Sequence, residues 1–126
     1  MGLLVGYVYN AKKDITDHEY IDIVKEGYLE NFSDVSVRNA FNYAFFEPYW
    51  RYYKAKTGEH VVELSGDIAF HGEKGHAILQ FVVDEQTQQF TVYATKFNDV
   101  VLSAEQNRLL IGMVYETWHL KQLAYE

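Results

Sequence analysis

Histidine and carboxylate side chains at a predicted hairpin tip are the clearest candidates for metal chemistry in this sequence. His71, Glu73 and His76 surround the turn signal at residues 72–75, which reads GEKG. Strand ends that face each other across a hairpin can bring two imidazoles within reach of one ion, and a carboxylate can add an oxygen ligand. An ordinary solvated hairpin tip carries the same residue types, so we predict no bound metal and no cofactor.

The residue patterns of nucleophilic catalysis are missing from the sequence. The chain contains no cysteine, which excludes a thiolate nucleophile, a disulfide and a thiolate zinc site. No serine lies in a G-x-S-x-G elbow. Ser65-Gly66 falls in the middle of a predicted strand, where a glycine relieves crowding under a packed helix. Acid–base catalysis by two carboxylates needs a cleft that separates their pKa values, and a sequence does not show a cleft. We therefore expect no catalytic residues.

A run of aromatic residues between positions 43 and 53 is the most informative local feature. Alternation along a strand sends Trp50 and Tyr52 to one face and Tyr53 to the other. Exposed tyrosine and tryptophan are good interface anchors because they bury a large area with few rotatable bonds, and they also stack on sugar rings. The alternative is that helices cover these aromatic side chains, which would then belong to the core and not to a binding surface. The candidate binding residues are Tyr49, Trp50, Tyr53 and Tyr93.

Helical patterns precede and follow these residues. A capping-box pattern at residues 16–19 predicts a first helix from about Asp17 to Asn31. A stripe of apolar residues predicts a second helix, which should end near Phe46 because Pro48 disfavours the helical conformation at the residue before it. Another capping box at residues 103–106 predicts a C-terminal helix to about Gln122.

Alternating apolar and polar residues between these helices predict strands near residues 50–55, 60–71, 76–84 and 89–96. The turns between them are short, so the strands should form an antiparallel meander. The predicted architecture is a two-layer α+β fold with two N-terminal helices, a four-stranded antiparallel meander and a C-terminal helix. Thr91, Tyr93 and Thr95, which we expect to be exposed, suit either a solvated sheet face or a partner sheet, so a homodimer stays open.

Length and charge limit the class of protein. The chain has 126 residues, which predicts one domain over residues 15–126 after an apolar segment at residues 1–14. That segment is too short to span a bilayer, and it could be a short strand, a helix docked on the core or the stub of a membrane anchor. The net charge of −7 repels phosphate backbones and anionic membrane surfaces, so we expect neither a nucleic-acid partner nor direct membrane insertion of the domain.

Several stretches of the sequence resemble an uncharacterised domain of Gram-positive bacterial envelope proteins, which often follows a zinc ribbon and a membrane anchor. The stretches that carry the resemblance are residues 36–42, 47–53, 61–66, 77–84, 97–99 and 107–110. The resemblance implies a domain on the extracytoplasmic face of a bacterial membrane, and it implies no catalytic residues. This chain lacks the zinc ribbon. The order of elements is also similar to the helix-pair-plus-meander modules of the β-lactamase-inhibitor-protein type, a likeness of topology alone.

The sequence therefore predicts a non-enzymatic binding or protein-interaction module at the bacterial cell envelope, with a protein or a small ligand as its partner. The alternative is a small-molecule pocket or an enzyme between the sheet and the helices. A cavity that directs a carboxylate and a histidine at the same point would favour this alternative.

Overall fold

The computed structural model of the protein describes residues 3–4 and 15–124. Three helices are present in this part of the chain: α1 (Ile15–Lys25), α2 (Val37–Ala44) and α3 (Ala104–Ala124). The strands are β1 (Phe46–Lys54), β2 (His60–Phe70), β3 (Glu73–Asp84), β4 (Gln89–Phe97) and β5 (Val100–Val101). The predicted α+β class, antiparallel sheet and C-terminal helix are confirmed. Most of the predicted N-terminal segment, residues 1–14, lies outside the described residues.

The prediction of four strands is wrong, because the sheet has a fifth. Asn98 and Asp99 both adopt a left-handed conformation, with φ of 48° and 67°, and turn the chain back on itself. Val100 and Val101 then pair with the end of β4. A strand of two residues is too short to produce a periodic pattern, so the sequence gives no signal for it.

The first two helices end earlier than predicted. Helix α1 ends at Lys25 rather than near Asn31, and the chain then forms a loop that closes with a bridge between Leu29 and Phe32. Helix α2 ends at Ala44, and β1 begins two residues before Pro48. The pairing of β1 with β2 is irregular between Phe46 and Tyr49. Pro48 therefore lies in a bulged part of an edge strand, where its missing N–H costs no ladder hydrogen bond.

All five strands follow one another in the order β1-β2-β3-β4-β5, and each pair is antiparallel. This confirms that residues 60–96 form adjacent hairpins. Cross-strand neighbours share a face of the sheet. One face, called the open face below, carries the row Arg51, Glu63, Gln80 and Ala94. The other, called the helix-covered face, carries the row Trp50, Leu64, Leu79 and Thr95.

The hydrophobic core lies between the helices and the helix-covered face. Phe41 of α2 is fully buried and meets the rings of Phe81 and Tyr115 edge-on, with centroid distances of 5.9 Å and 5.6 Å. Tyr115 of α3 stacks on Phe32. Its hydroxyl is buried without a hydrogen-bond partner among the described residues, and burial raises its pKa above the ordinary value. These rings join α2, α3 and the sheet into one packed layer.

Among the described helices, none combines the length and the apolar character that crossing a membrane requires.

Candidate functional site

The four predicted binding residues do not form one patch. Trp50 lies on the helix-covered face, where its ring stacks on Phe81 and its indole N–H donates a hydrogen bond of 2.8 Å to Oδ1 of Asn42. Tyr49 and Tyr53 lie on the open face, and Tyr49 is 58% exposed. Tyr93 is half-buried and lies where the pairing of β3 with β4 is irregular. Of these four residues, only Tyr53 takes part in a hydrogen-bond network on the open face.

A buried carboxylate anchors this network. Glu63 of β2 is only 7% exposed, although none of the three described helices packs on the open face. Its Oε1 accepts hydrogen bonds from Nε and Nη2 of Arg51 at 2.9 Å and 2.7 Å. Its Oε2 lies 3.0 Å from the Tyr53 hydroxyl and 3.2 Å from Nε2 of Gln80. Both carboxylate oxygens therefore have donors, which offsets the cost of removing the charge from water.

Gln80 of β3 is the most buried polar residue of the network, at 1% exposure. Its Oε1 accepts a hydrogen bond of 2.9 Å from the backbone N–H of Leu4, and its Nε2 donates one of 2.9 Å to the carbonyl oxygen of the same residue. The Tyr53 hydroxyl lies 2.5 Å from Nε2 of Gln80 and 3.2 Å from the Leu4 carbonyl oxygen. The carboxamide of Gln80 thus pairs with Leu4 as a residue of a neighbouring strand would, with one donor and one acceptor.

The electrostatics of the network keep Tyr53 protonated. Burial raises the pKa of its phenol above the ordinary value, and the neighbouring Glu63 carboxylate raises it further. The Arg51 guanidinium acts in the opposite direction and lies 5.1 Å from the centre of the Tyr53 ring. Tyr53 is therefore a stable hydrogen-bond donor at neutral pH. Towards the backbone of Leu4, the network presents the Tyr53 hydroxyl and Nε2 of Gln80 as hydrogen-bond donors and Oε1 of Gln80 as an acceptor.

Sequence reasoning found Tyr53 but missed Arg51, Glu63 and Gln80. All three occupy polar positions of alternating strands, which are ordinarily solvated. A signal was nevertheless available, because the hairpin turns place these three residues side by side across β1, β2 and β3. What the pattern does not show is that the centre of the open face is covered.

The hairpin tip of β2 and β3 does not gather its three candidate metal ligands. The His71 ring packs on Phe70, and Glu73 accepts a hydrogen bond from the side-chain amide of Asn98. Nδ1 of His76 lies 3.2 Å from a carboxylate oxygen of Asp67. Within the described residues, no group of three or more histidine, aspartate or glutamate side chains is arranged to hold a metal ion.

A histidine does lie near carboxylates at the opposite end of the sheet. A shallow depression of about 480 Å³ is lined by Glu59, His60 and Asp84, among others. Nδ1 of His60 lies 2.8 Å from the Tyr52 hydroxyl, and Nε2 lies 3.4 Å from the Tyr20 hydroxyl. The His60 ring also stacks on Tyr20, with a centroid distance of 4.4 Å. These contacts engage both ring nitrogens and join α1 to the sheet.

Comparison of the chain with protein-family models, with curated proteins and with solved structures finds no match. The resemblance to envelope domains therefore stays a prediction, and the function has to be argued from the geometry.

Proposed function

We propose that the protein is a non-enzymatic interaction module whose open sheet face binds an extended polypeptide segment. One observation carries the proposal: the buried carboxamide of Gln80 holds the N–H and the C=O of a single backbone residue, Leu4. Peptide-binding domains commonly recognise extended chains through main-chain hydrogen bonds of this kind. Here a side chain in the middle of a sheet face supplies them, in place of an edge strand.

The neighbours of Gln80 support this function because they fix the carboxamide before any segment arrives. Glu63 and Tyr53 both lie within hydrogen-bond distance of Nε2, and Arg51 holds Glu63 in place. A buried amide group left without partners costs about 1–3 kcal/mol. The network therefore stabilises Gln80 in the orientation that backbone pairing requires, and a bound segment satisfies the oxygen that the network leaves unpaired.

The surroundings of the network indicate the character of the segment. Val61 and Ala94, which lie on the same face beside the network, are almost fully buried, so apolar side chains flank the polar groups of the network. The exposed ring of Tyr49 lies on the same face and is available as an anchor. The net charge of −7 disfavours acidic segments. We therefore expect an extended, apolar, neutral or basic segment, and the resemblance to envelope domains supports a partner at the bacterial cell surface.

A peptide titration on full-length protein tests the proposal. In the variant Leu4→Pro, residue 4 has no N–H to donate, so the chain's own segment competes less for Gln80. A fluorescent peptide with the sequence of residues 1–8 and added lysines should bind this variant saturably in an anisotropy assay. Adding Gln80→Met should weaken binding about thirtyfold, since two hydrogen bonds of about 1 kcal/mol each are lost.

Gln86→Met is the matched control, because Gln86 is an exposed glutamine in the turn between β3 and β4. In the Leu4→Pro background it should leave peptide affinity unchanged. Circular dichroism of each variant establishes that it is folded. Equal peptide affinity with and without Gln80→Met would contradict the proposal, and so would the absence of saturable binding to folded Leu4→Pro protein.

A further inference from the structure

A second site lies on the other side of the sheet, away from the open face. A cleft of about 870 Å³ separates the loop after α1, strand β4 and the beginning of α3. Its size is within the range of small-molecule sites, about 300–1,000 Å³. Six half-buried apolar side chains line it: Ile23, Leu29, Phe32, Phe90, Val92 and Ile111. These six side chains pack against the hydrophobic core, and together they form the apolar floor of the cleft.

The cleft exists because the helices leave β4 partly uncovered. Helix α1 ends at Lys25, and the loop that follows turns back through a hydrogen bond of 2.9 Å from the Phe32 N–H to the Leu29 carbonyl oxygen. Helix α3 packs mainly against α2. Phe90 and Val92 of β4 therefore face the gap between this loop and α3. The cleft is therefore open because α1 ends early and α3 packs on α2. The aromatic rings that line the cleft, Phe32 and Phe90, pack against the core.

Two hydrogen-bond donors on α3 border the apolar floor. The hydroxyl of Thr95, which is fully buried, donates a hydrogen bond to Oδ1 of Asn107. This bond fixes the orientation of the Asn107 side-chain amide. The Nδ2 atom of Asn107, which is the first of the two donors, has no hydrogen-bond partner among the described residues. Arg108 follows Asn107 in α3, and the carboxylate that pairs with it among the described residues is Glu105 at 4.0 Å, with both side chains largely exposed. The positive end of the α3 dipole lies at the same corner.

The arrangement matches the two halves of an amphipathic anion. An apolar body fits the floor formed by Phe90, Val92 and Ile111, and a carboxylate can accept hydrogen bonds from Asn107 and Arg108. The cleft lining contains one acidic residue, Glu30, which belongs to the loop wall and not to α3. No histidine is among the lining residues. We propose that this cleft binds a small amphipathic carboxylate, with its head group on Asn107 and Arg108.

Calorimetric titration with decanoate and with decylammonium, both below their micelle concentrations, tests the proposal on the full-length protein. The two probes have the same alkyl chain and opposite charges. Decanoate should bind saturably and more tightly than decylammonium. The substitution Arg108→Gln should weaken decanoate binding about tenfold and leave decylammonium binding no weaker, since one charge-assisted hydrogen bond is lost.

Arg38→Gln is the matched control. Arg38 pairs with Glu26 at 2.6 Å and does not line the cleft, so decanoate affinity should not change. Ile111→Trp should fill the cleft and abolish the binding of both probes, with thermal unfolding as the check on folding. Decanoate should also shift the amide NMR signals of Phe90 and Val92. Tighter binding of decylammonium would assign the head-group site to Glu30 and overturn the proposal, as would unchanged decanoate affinity in Arg108→Gln.

Discussion

Replacing Gln80 by glutamate tests the buried network on the open face most directly. Glutamate has nearly the same shape as glutamine, so the packing around this fully buried position should not change. When ionised, however, the introduced carboxylate offers no donor to the Leu4 carbonyl oxygen or to Glu63. Nε2 of Gln80 lies 3.2 Å from Oε2 of Glu63, so the substitution brings two carboxylates into contact.

The size of the effect follows from that distance. Two like charges 3.2 Å apart repel each other by about 5 kcal/mol at an effective dielectric constant of about 20. Arg51, which already pairs with Glu63, reduces the repulsion, and so does small relaxation of the side chains. We expect a net loss of about 3 kcal/mol of unfolding free energy at pH 8, a typical cost of burying an unpaired charge.

The loss should depend on pH with a defined sign. Repulsion raises the pKa of the introduced carboxyl in the folded protein above the unfolded value of about 4.3. Its contribution to stability is therefore complete below about pH 4 and is lost as the pH rises through the folded pKa. Near pH 4, the protonated carboxyl again has one donor and one acceptor, so the variant should differ from the parent protein by only about 1 kcal/mol.

Urea denaturation of Gln80→Glu and of the parent protein at about pH 4 and about pH 8 measures this difference. Gln80→Met should lose stability to a similar extent at both pH values, since it introduces no charge. Gln86→Glu, in an exposed turn, should change stability little at either pH. If Gln80→Glu is as stable as the parent at pH 8, the centre of the open face is solvated and the network does not have the geometry described above.

Three further substitutions test the packing of the fold. Gly66→Val should destabilise the protein by about 1–3 kcal/mol, because a Cβ there would lie 3.0 Å from the Phe46 carbonyl oxygen. Gly112→Ala in α3 should instead stabilise the protein by about 0.5–1 kcal/mol, because a Cβ at that position would have open space around it. An unchanged melting temperature for Gly66→Val would show that this position faces water. Trp50→Ala should lower the unfolding free energy by about 2–3 kcal/mol in urea denaturation, since the indole stacks on Phe81. Substitutions of surface residues change this free energy by less than about 0.5 kcal/mol, so a change that small would mean that Trp50 is a surface residue.

The parts of the fold that local chemistry determines could be predicted from the sequence. The capping box at the start of α3 is confirmed, since the Ser103 hydroxyl accepts from the Gln106 N–H at 3.1 Å and the Gln106 side chain accepts from the Ser103 N–H at 3.0 Å. Alternation correctly separates Trp50 from Tyr53 onto opposite faces. Both signals depend on residues that are close in sequence, where spacing alone determines which groups meet.

The site itself could not be predicted, because it depends on contacts between distant parts of the chain. Gln80 meets Leu4 across 76 positions, and no periodic pattern reports such a contact. Alternation places Glu63 and Gln80 on one face but does not show that this face is covered at its centre. The early end of α1, which leaves the cleft open, likewise depends on how the following loop packs against Phe90 of β4.

The pairing between Gln80 and Leu4 has a consequence for the evolution of whatever segment occupies the open face. A carboxamide contacts only the N–H and C=O groups, which every amino acid except proline carries. Mutations that change the side chain at the paired position therefore leave these two hydrogen bonds intact. A single codon change to proline removes one of them at once, so proline is the one residue that selection should exclude there.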